Sequence, residues 1–325
     1  MGPHKGRLRS AVSALDRICA MERLDLLKKL SFGTQVAEDE TNDLAKYFVE
    51  THQWTRIASG EIDIIRGDKG AGKSAIYSLL IERKAEFFDN GILIVGAENP
   101  RGATVFKDLI ADPPASETEF IILWKLYILT IASQELREYG VRTAEAERVF
   151  KALEDAALLE RESTLSGVLR RVQYYAKHLF TAESVAGGVT IDQNTGMITG
   201  LSGRIVLREP INDLRQHGIV SIDSLFASLD KALGEYNYKI WILLDRLDVA
   251  FIENHALEAN ALRALIRAYG DFRSLYNIGI KIFLREDIWK RIMAPGYREA
   301  SHLVRYDNIT WTQPALLNLI MRRLL

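Results

Sequence analysis

The sequence predicts an α/β fold, a doubly wound and mainly parallel sheet, on three observations. A glycine-rich stretch, Gly67-Asp68-Lys69-Gly70-Ala71-Gly72-Lys73-Ser74, stands between a short apolar run at 62–66 and a helix-forming run at 75–84. A second apolar run, Lys239-Ile240-Trp241-Ile242-Leu243-Leu244, ends on Asp245, as expected of a central strand covered on both faces. Further strand-like runs alternate with helical periodicity, the pattern of β-α units whose ligands lie at the carboxyl ends of the strands.

Taken in order, residues 11–30 place apolar side chains at helical spacing and stop near Phe32-Gly33, and 41–50 reads as a second helix. Residues 1–60 are therefore a helical lead-in. Trp54 and Ile57 precede the first strand, where they either pack in the core or cover a base. The α/β core takes up 61–100 and 239–312, with a second buried strand at 91–96 leading to Glu98. Between its two parts lies an insertion, 101–238, with three helices at 117–139, 143–160 and 164–180. A β-hairpin is expected within about 185–208, around the turn Asn194-Thr195-Gly196, followed by a helix over 222–236. Past Asp245 the pattern gives a helix over 256–276 and strands over 278–285 and 302–310. Pro314 stands at the first turn of a last helix, 315–325, that stops in mid-pattern, and 313–325 is set apart as a terminal segment.

Composition narrows the class. The 325 residues are 48% hydrophobic and 26% charged, which describes a folded chain with a large core. A formal net charge of −1 leaves no global basic field to attract nucleic acid. The lone Cys19 excludes an intrachain disulfide and reads as a small buried hydrophobe, in keeping with a reducing cytoplasm. The basic start, 1–7, has no apolar run behind it, so no secretory signal is read there. The most apolar window, 120–132, is about half of the ~20 residues that cross a bilayer and contains Lys125. It reads as a core helix, and no membrane partner is expected.

The chemistry lies in the glycine-rich stretch, which fits the P-loop pattern G-x-x-x-x-G-K-[ST] and so implies a nucleoside triphosphate. Backbone amides can wrap phosphates only where Cβ atoms are missing, hence Gly67, Gly70 and Gly72, with Asp68, Lys69, Ala71 and Ala75 completing the cradle. Lys73 is expected on the β- and γ-phosphates, and the Ser74 hydroxyl on Mg²⁺. The absence of an N-K-x-D stretch favours ATP over GTP.

Asp245 is the second expected Mg²⁺ ligand, on a strand read as neighbouring the P-loop strand. The position after it, where a water-activating carboxylate is often found, holds Arg246. Glu98 and Asp248 are the alternative general bases. Arg285, ending a late strand, is placed to sense the γ-phosphate. Arg246, Arg298 and Arg305 are candidate arginine fingers. Lys290, Arg291, Arg298, His302 and Arg305 form a basic run, read first as a solvated face.

Leu243-Leu244-Asp245-Arg246-Leu247-Asp248 resembles the extended Walker B motif of KAP-type and NACHT-type P-loop ATPases, within the STAND/AAA-related group. Arg285 is similar to their sensor arginine, and Trp311-Thr312-Gln313-Pro314 to the start of their helical lid. Phe32-Gly33, Ala37-Glu38-Asp39, Tyr47-Phe48 and Thr51 before the P-loop look more specifically like a poorly characterised group of bacterial P-loop ATPases. The resemblance covers about 30–100 and 239–325. It implies an ATP-dependent switch, often in signalling or bacterial antiviral defence, with nucleotide roles for Lys73, Ser74, Asp245 and Arg285. Val249, where NACHT proteins usually carry an acid, departs from the pattern.

The expectation is an ATP-binding, slowly hydrolysing ATPase that assembles with itself or with an effector protein. The alternative is an ATP-driven motor or clamp on DNA, motivated by the basic run together with Arg170, Arg171 and Lys177. A small-molecule kinase is the weaker third reading, since no acceptor site is recognisable.

Overall fold

The computed structural model describes residues 48–98, 104–107, 109, 113–114, 116–160, 163–186, 205–206, 220–251, 254–293 and 304–324. The helix expected at 11–30, Cys19, most of the one at 41–50, the turn at 194–196, Arg298 and His302 lie outside the described residues. The chain divides into two compact units, Glu50–Thr310 and Met1–Val49 with Trp311–Leu325.

The larger unit opens with α1 (His52–Ala58), whose N-cap Thr51 accepts the Trp54 amide at 3.2 Å. Seven strands are described: β1 (Ile64–Gly67), β2 (Ile92–Gly96), β3 (Ile205–Val206), β4 (Val220–Ser221), β5 (Lys239–Leu244), β6 (Ile278–Arg285) and β7 (Tyr306–Asn308). Five of them form one parallel sheet in the order β2-β5-β6-β1-β7. The strand ending at Asp245 is therefore not the neighbour of the P-loop strand, because β6 lies between them. Helical connections let successive parallel strands skip places, which local sequence does not reveal. All five strands still end on one edge.

Of the stretch in which a hairpin was expected, 185–208, only 185–186 and 205–206 are described. Ile205 and Val206 pair in parallel with Val220 and Ser221. Tyr175 also holds Ile205, its hydroxyl donating to the Ile205 carbonyl at 3.1 Å and accepting the Ile205 amide at 3.2 Å.

Helices α2 (Lys73–Glu82) and α3 (Lys84–Asp89) follow β1. The segment between β2 and β5 contributes α4 (Glu117–Glu138), α5 (Ala144–Asp155), α6 (Leu165–Ala186) and α7 (Ile222–Glu235). Side-chain caps from Ser116, Thr143 and Ser221 start α4, α5 and α7 where the sequence places them. Beyond β5 come α8 (Leu247–Ala250), α9 (His255–Phe272) and, after β6, α10 (Glu286–Ile292). The helix expected to reach residue 276 ends at Phe272. Asp230 takes the Asn277 backbone amide at 2.6 Å, and its carbonyl takes the Asn277 side chain at 2.9 Å, which pulls this stretch into a turn.

Alternation along the strands divides the core into two layers. Ile240, Ile242 and Leu244 of β5, with Ile278, Ile280, Ile282 and Leu284 of β6, join α4, α6, α7 and α9 in one apolar cluster. Their neighbours Trp241 and Phe283 meet the rings of Phe87 in α3 and Tyr77 in α2, at centroid distances of 5.6 and 5.8 Å. Residues 119–133 of α4 are buried all but without interruption, so this helix is surrounded rather than one-sided. Trp124 donates to the Ala261 carbonyl at 2.8 Å and Tyr127 to the Ala97 carbonyl at 2.8 Å, tying α4 to α9 and to the end of β2. Lys125 is tolerated there because Asp223 and Asp271 reach it at 2.8 and 2.7 Å.

In the smaller unit, α11 (Gln313–Leu324) includes Pro314 at its second residue, and Arg322 donates to the Phe48 carbonyl at 2.6 Å. Among the described residues no helix is long and apolar enough to cross a membrane.

Candidate functional site

β1 delivers Gly67 to the carboxyl edge of the sheet, and the chain turns through Asp68 to Gly72 before α2 begins at Lys73. Gly70 and Gly72 take φ of 83° and 97°, the left-handed region that β-carbons resist. Gly67 is required for a different reason. A Cβ on it would come within 2.9 Å of the Ala71 Cβ and 3.3 Å of the Ile309 carbonyl oxygen. The Ala71 amide donates to the Asp68 carbonyl at 3.1 Å, and Lys73 Nζ donates to the carbonyls of Gly67 and Asp68 at 2.9 and 3.0 Å. The lysine thus braces the loop that it serves. α2 starts without a side-chain cap, and the first amides of a helix, which lack intrahelical partners, suit an anion.

Parallel pairing sets Arg285, the last residue of β6, level with Gly67. Arg285 donates to Asp287 from Nε at 3.1 Å and Nη2 at 2.8 Å. The partial burial of Asp287 opposes ionisation, but this guanidinium holds its carboxyl below the usual carboxylate range. One strand further, Asp245 follows the last residue of β5 and is 5% exposed, a buried carboxylate at the mouth of the sheet. Arg246, next to it, has φ of 57° and caps α8 from the left-handed region, so the backbone turns sharply just past this aspartate.

Glu98 lies two residues past β2 and is 2% exposed. Its carboxylate accepts the Thr104 hydroxyl at 2.6 Å and the Val105 amide at 3.2 and 3.3 Å, at the start of a 3₁₀ turn, Val105–Lys107. Tyr77 of α2 joins these pieces, donating to the Glu98 carbonyl at 2.7 Å. Burial above all, and then the Asp245 charge, pushes the Tyr77 hydroxyl well above its ordinary range, so it stays a neutral donor. The helix that begins in the loop therefore contacts the end of β2 and feels the charge at the end of β5. Sequence reading missed Tyr77. The available signal was a lone phenol on an aliphatic helix face, which needs a partner once buried.

The other candidates fall elsewhere. Trp54 and Ile57 are core residues, 5% and 0% exposed, with the Arg83 cation 5.6 Å from the Trp54 ring centroid. Arg305 pairs with Asp63 at 2.8 Å, beside the start of β1 and away from the loop. Asp248 stands in α8, one turn past Asp245. Arg66, which sequence reading passed over, lies 4.9 Å from the Trp289 ring centroid and 4.6 Å from that of Tyr306, locking α10 and β7 to the P-loop strand. In the basic run, Lys290 and Arg291 pair with Glu286 and Glu258.

Ser74 is half-buried in the first turn of α2, and it and Asp245 supply hard oxygen donors of the kind Mg²⁺ takes alongside phosphate oxygens. Among the described residues no three His, Cys, Asp or Glu side chains gather as a metal cage. Comparison with protein-family models, curated proteins and solved structures found no match to this chain.

Proposed function

We propose that this chain binds ATP with Mg²⁺ at Gly67–Ser74 and hydrolyses it slowly, acting as a nucleotide-dependent switch that assembles with itself or with an effector protein. The observation that carries the reading is the joining of β1 to α2 through a loop with two left-handed glycines, in register with Arg285 and on the same sheet edge as buried Asp245. Backbone amides, the start of α2 and Lys73 hold the triphosphate, with the lysine exchanging its two loop carbonyls for phosphate oxygens. Ser74 and Asp245 hold the cation, which offsets charge between the phosphates. Arg285 gives up part of its pairing with Asp287 to meet the γ-phosphate.

Two carboxylates compete for the role of activating water. Glu98 already satisfies Thr104 and Val105, which gives it a role in shaping the segment after β2. Asp248 follows the metal aspartate by three residues. The amide substitution, Glu98→Gln or Asp248→Asn, that lowers turnover by about 10²–10⁴-fold while nucleotide affinity holds identifies the base. Among the described residues no observation favours the motor on DNA: Arg171 pairs with Glu160 at 3.0 Å, and Arg291 and Arg305 are likewise paired.

Mass photometry and ATP turnover of wild type and Lys73→Ala, with and without DNA, test the reading. Assembly that needs ATP and Mg²⁺, is lost in Lys73→Ala, and accompanies slow turnover indifferent to DNA is the expected result. Equal particle sizes in every nucleotide state would overturn the switch, and turnover seen only with DNA would replace it with the motor. The role in antiviral defence is tested by phage plating on cells carrying wild type or Lys73→Ala.

A further inference from the structure

We propose that a cavity at the amino ends of β1, β5 and β6 binds a small phosphate-bearing molecule with a flat ring, of the nucleoside-monophosphate class. The cavity measures about 420 Å³, within the range of small-molecule sites and too small for a polymer. It lies at the opposite end of β1 from Gly67, and the inference does not rest on the nucleotide reading of the loop.

Its charge is lopsided. Among the described residues, Lys239, Arg273 and Arg305 line it, against a single carboxylate, Asp63. That carboxylate is already committed. It meets Arg305 Nε at 2.8 Å, accepts the Tyr269 hydroxyl at 2.9 Å and stands 3.5 Å from Lys281 Nζ, a fourth cation that is 1% exposed. The nearby Asp230 is occupied with the Asn277 amide. A positive surplus in a concave, partly dry wall favours a multiply charged anion.

The flat-ring requirement comes from Tyr276, 77% exposed at the rim, with Lys239 Nζ 4.4 Å from its ring centroid. The Lys239 ammonium covers one face of this ring, and the opposite face is a surface on which a planar group stacks while its anionic end turns toward Arg273 and Arg305. The cavity floor is built for closeness. Cβ atoms on Gly60 and Gly279 would come within 2.9 and 3.0 Å of the Trp241 ring, so the small residues let the indole close the bottom.

The test uses the full chain carrying Lys73→Ala, so that the phosphate loop does not account for binding. Calorimetric titration with AMP, adenosine and inorganic phosphate is expected to show one AMP site, with each of the other two at least about tenfold weaker. Adding Arg273→Glu, which is exposed, or Tyr276→Ala should weaken AMP at least about tenfold with an unchanged melting temperature. An absence of AMP binding, equal affinity for AMP and inorganic phosphate, or full affinity in both added variants would each overturn the proposal.

Discussion

Arg285 stands in register with Gly67 across the β6–β1 pairing, which brings a guanidinium to the level at which the glycine loop leaves the sheet. Its side chain is 37% exposed, and its pairing with the exposed Asp287 is of the weak, solvent-screened kind. Arg285→Ala is expected to lower ATP turnover about 10²–10³-fold while changing nucleotide affinity less than about threefold. Steady-state turnover beside equilibrium binding of ATP checks this. An equal loss in both would make Arg285 a ground-state binding group instead.

The loop glycines are expected to fail for different reasons. Gly67→Ala drives a methyl group against Ala71 and the Ile309 carbonyl, at about 1–3 kcal/mol. Gly70→Ala meets nothing within 4 Å but must hold φ of 83°, at about 1–2 kcal/mol. Urea denaturation separates them: adding Ala71→Gly should recover part of the first loss, a coupling of about 0.5 kcal/mol or more, and none of the second.

Lys281 predicts a pH dependence. Burial lowers its pKa from 10.5 to about 8, with Asp63 opposing the shift and Arg305 adding to it. The folded state then releases this proton before the unfolded chain does. The penalty for the buried charge is full below about pH 8, and stability rises from there toward the unfolded value as the unfolded state binds the extra proton. Denaturation of wild type and Lys281→Met at several pH values should show wild type gaining on the variant between about pH 8 and pH 10. A flat difference would mean that the lysine is not titrating in this window.

Lys125 predicts an asymmetry. Burial alone would lower its pKa, but the bonds to Asp223 and Asp271 outweigh it and raise the value. Both aspartates are more than half exposed, at 61% and 58%, so removal of the lysine leaves them solvated. Lys125→Met should therefore cost less than about 1 kcal/mol or stabilise the fold, whereas Asp223→Asn with Asp271→Asn strands a buried cation at about 3–5 kcal/mol. Chemical denaturation of the two variants gives the comparison directly.

Local chemistry made much of this architecture legible. The β6 run reads off the chain with its observed bounds, Ile278–Arg285, and β2 and β5 within a residue, since strands buried on both faces are apolar at nearly every position. Ser116, Thr143 and Ser221 stand where their helices begin, as side chains that satisfy exposed amides must, whereas the short helix His52–Ala58 after Thr51 was not read. The loop itself could be read because its left-handed turns need glycine, and glycine is visible in a sequence.

Contacts between distant segments were not legible. The placement of β6 between β1 and β5 follows from which crossovers pack well, a property of the whole sheet. The bond from Tyr77 to Glu98 and the capture of Ile205 by Tyr175 join residues 21 and 30 positions apart, with no periodicity to announce them. Lys281 gave a warning, a cation inside an apolar strand, but not its partners, Asp63 and the Ile62 carbonyl, more than 200 positions away. The sequence by itself determined the central strands, the longer helices, the glycine loop and the residues that carry charge, because these depend on neighbours along the chain. Tertiary structure decided which charges are buried together and which strand separates Asp245 from the loop, because burial and long-range pairing exist only once the whole chain has closed around its core.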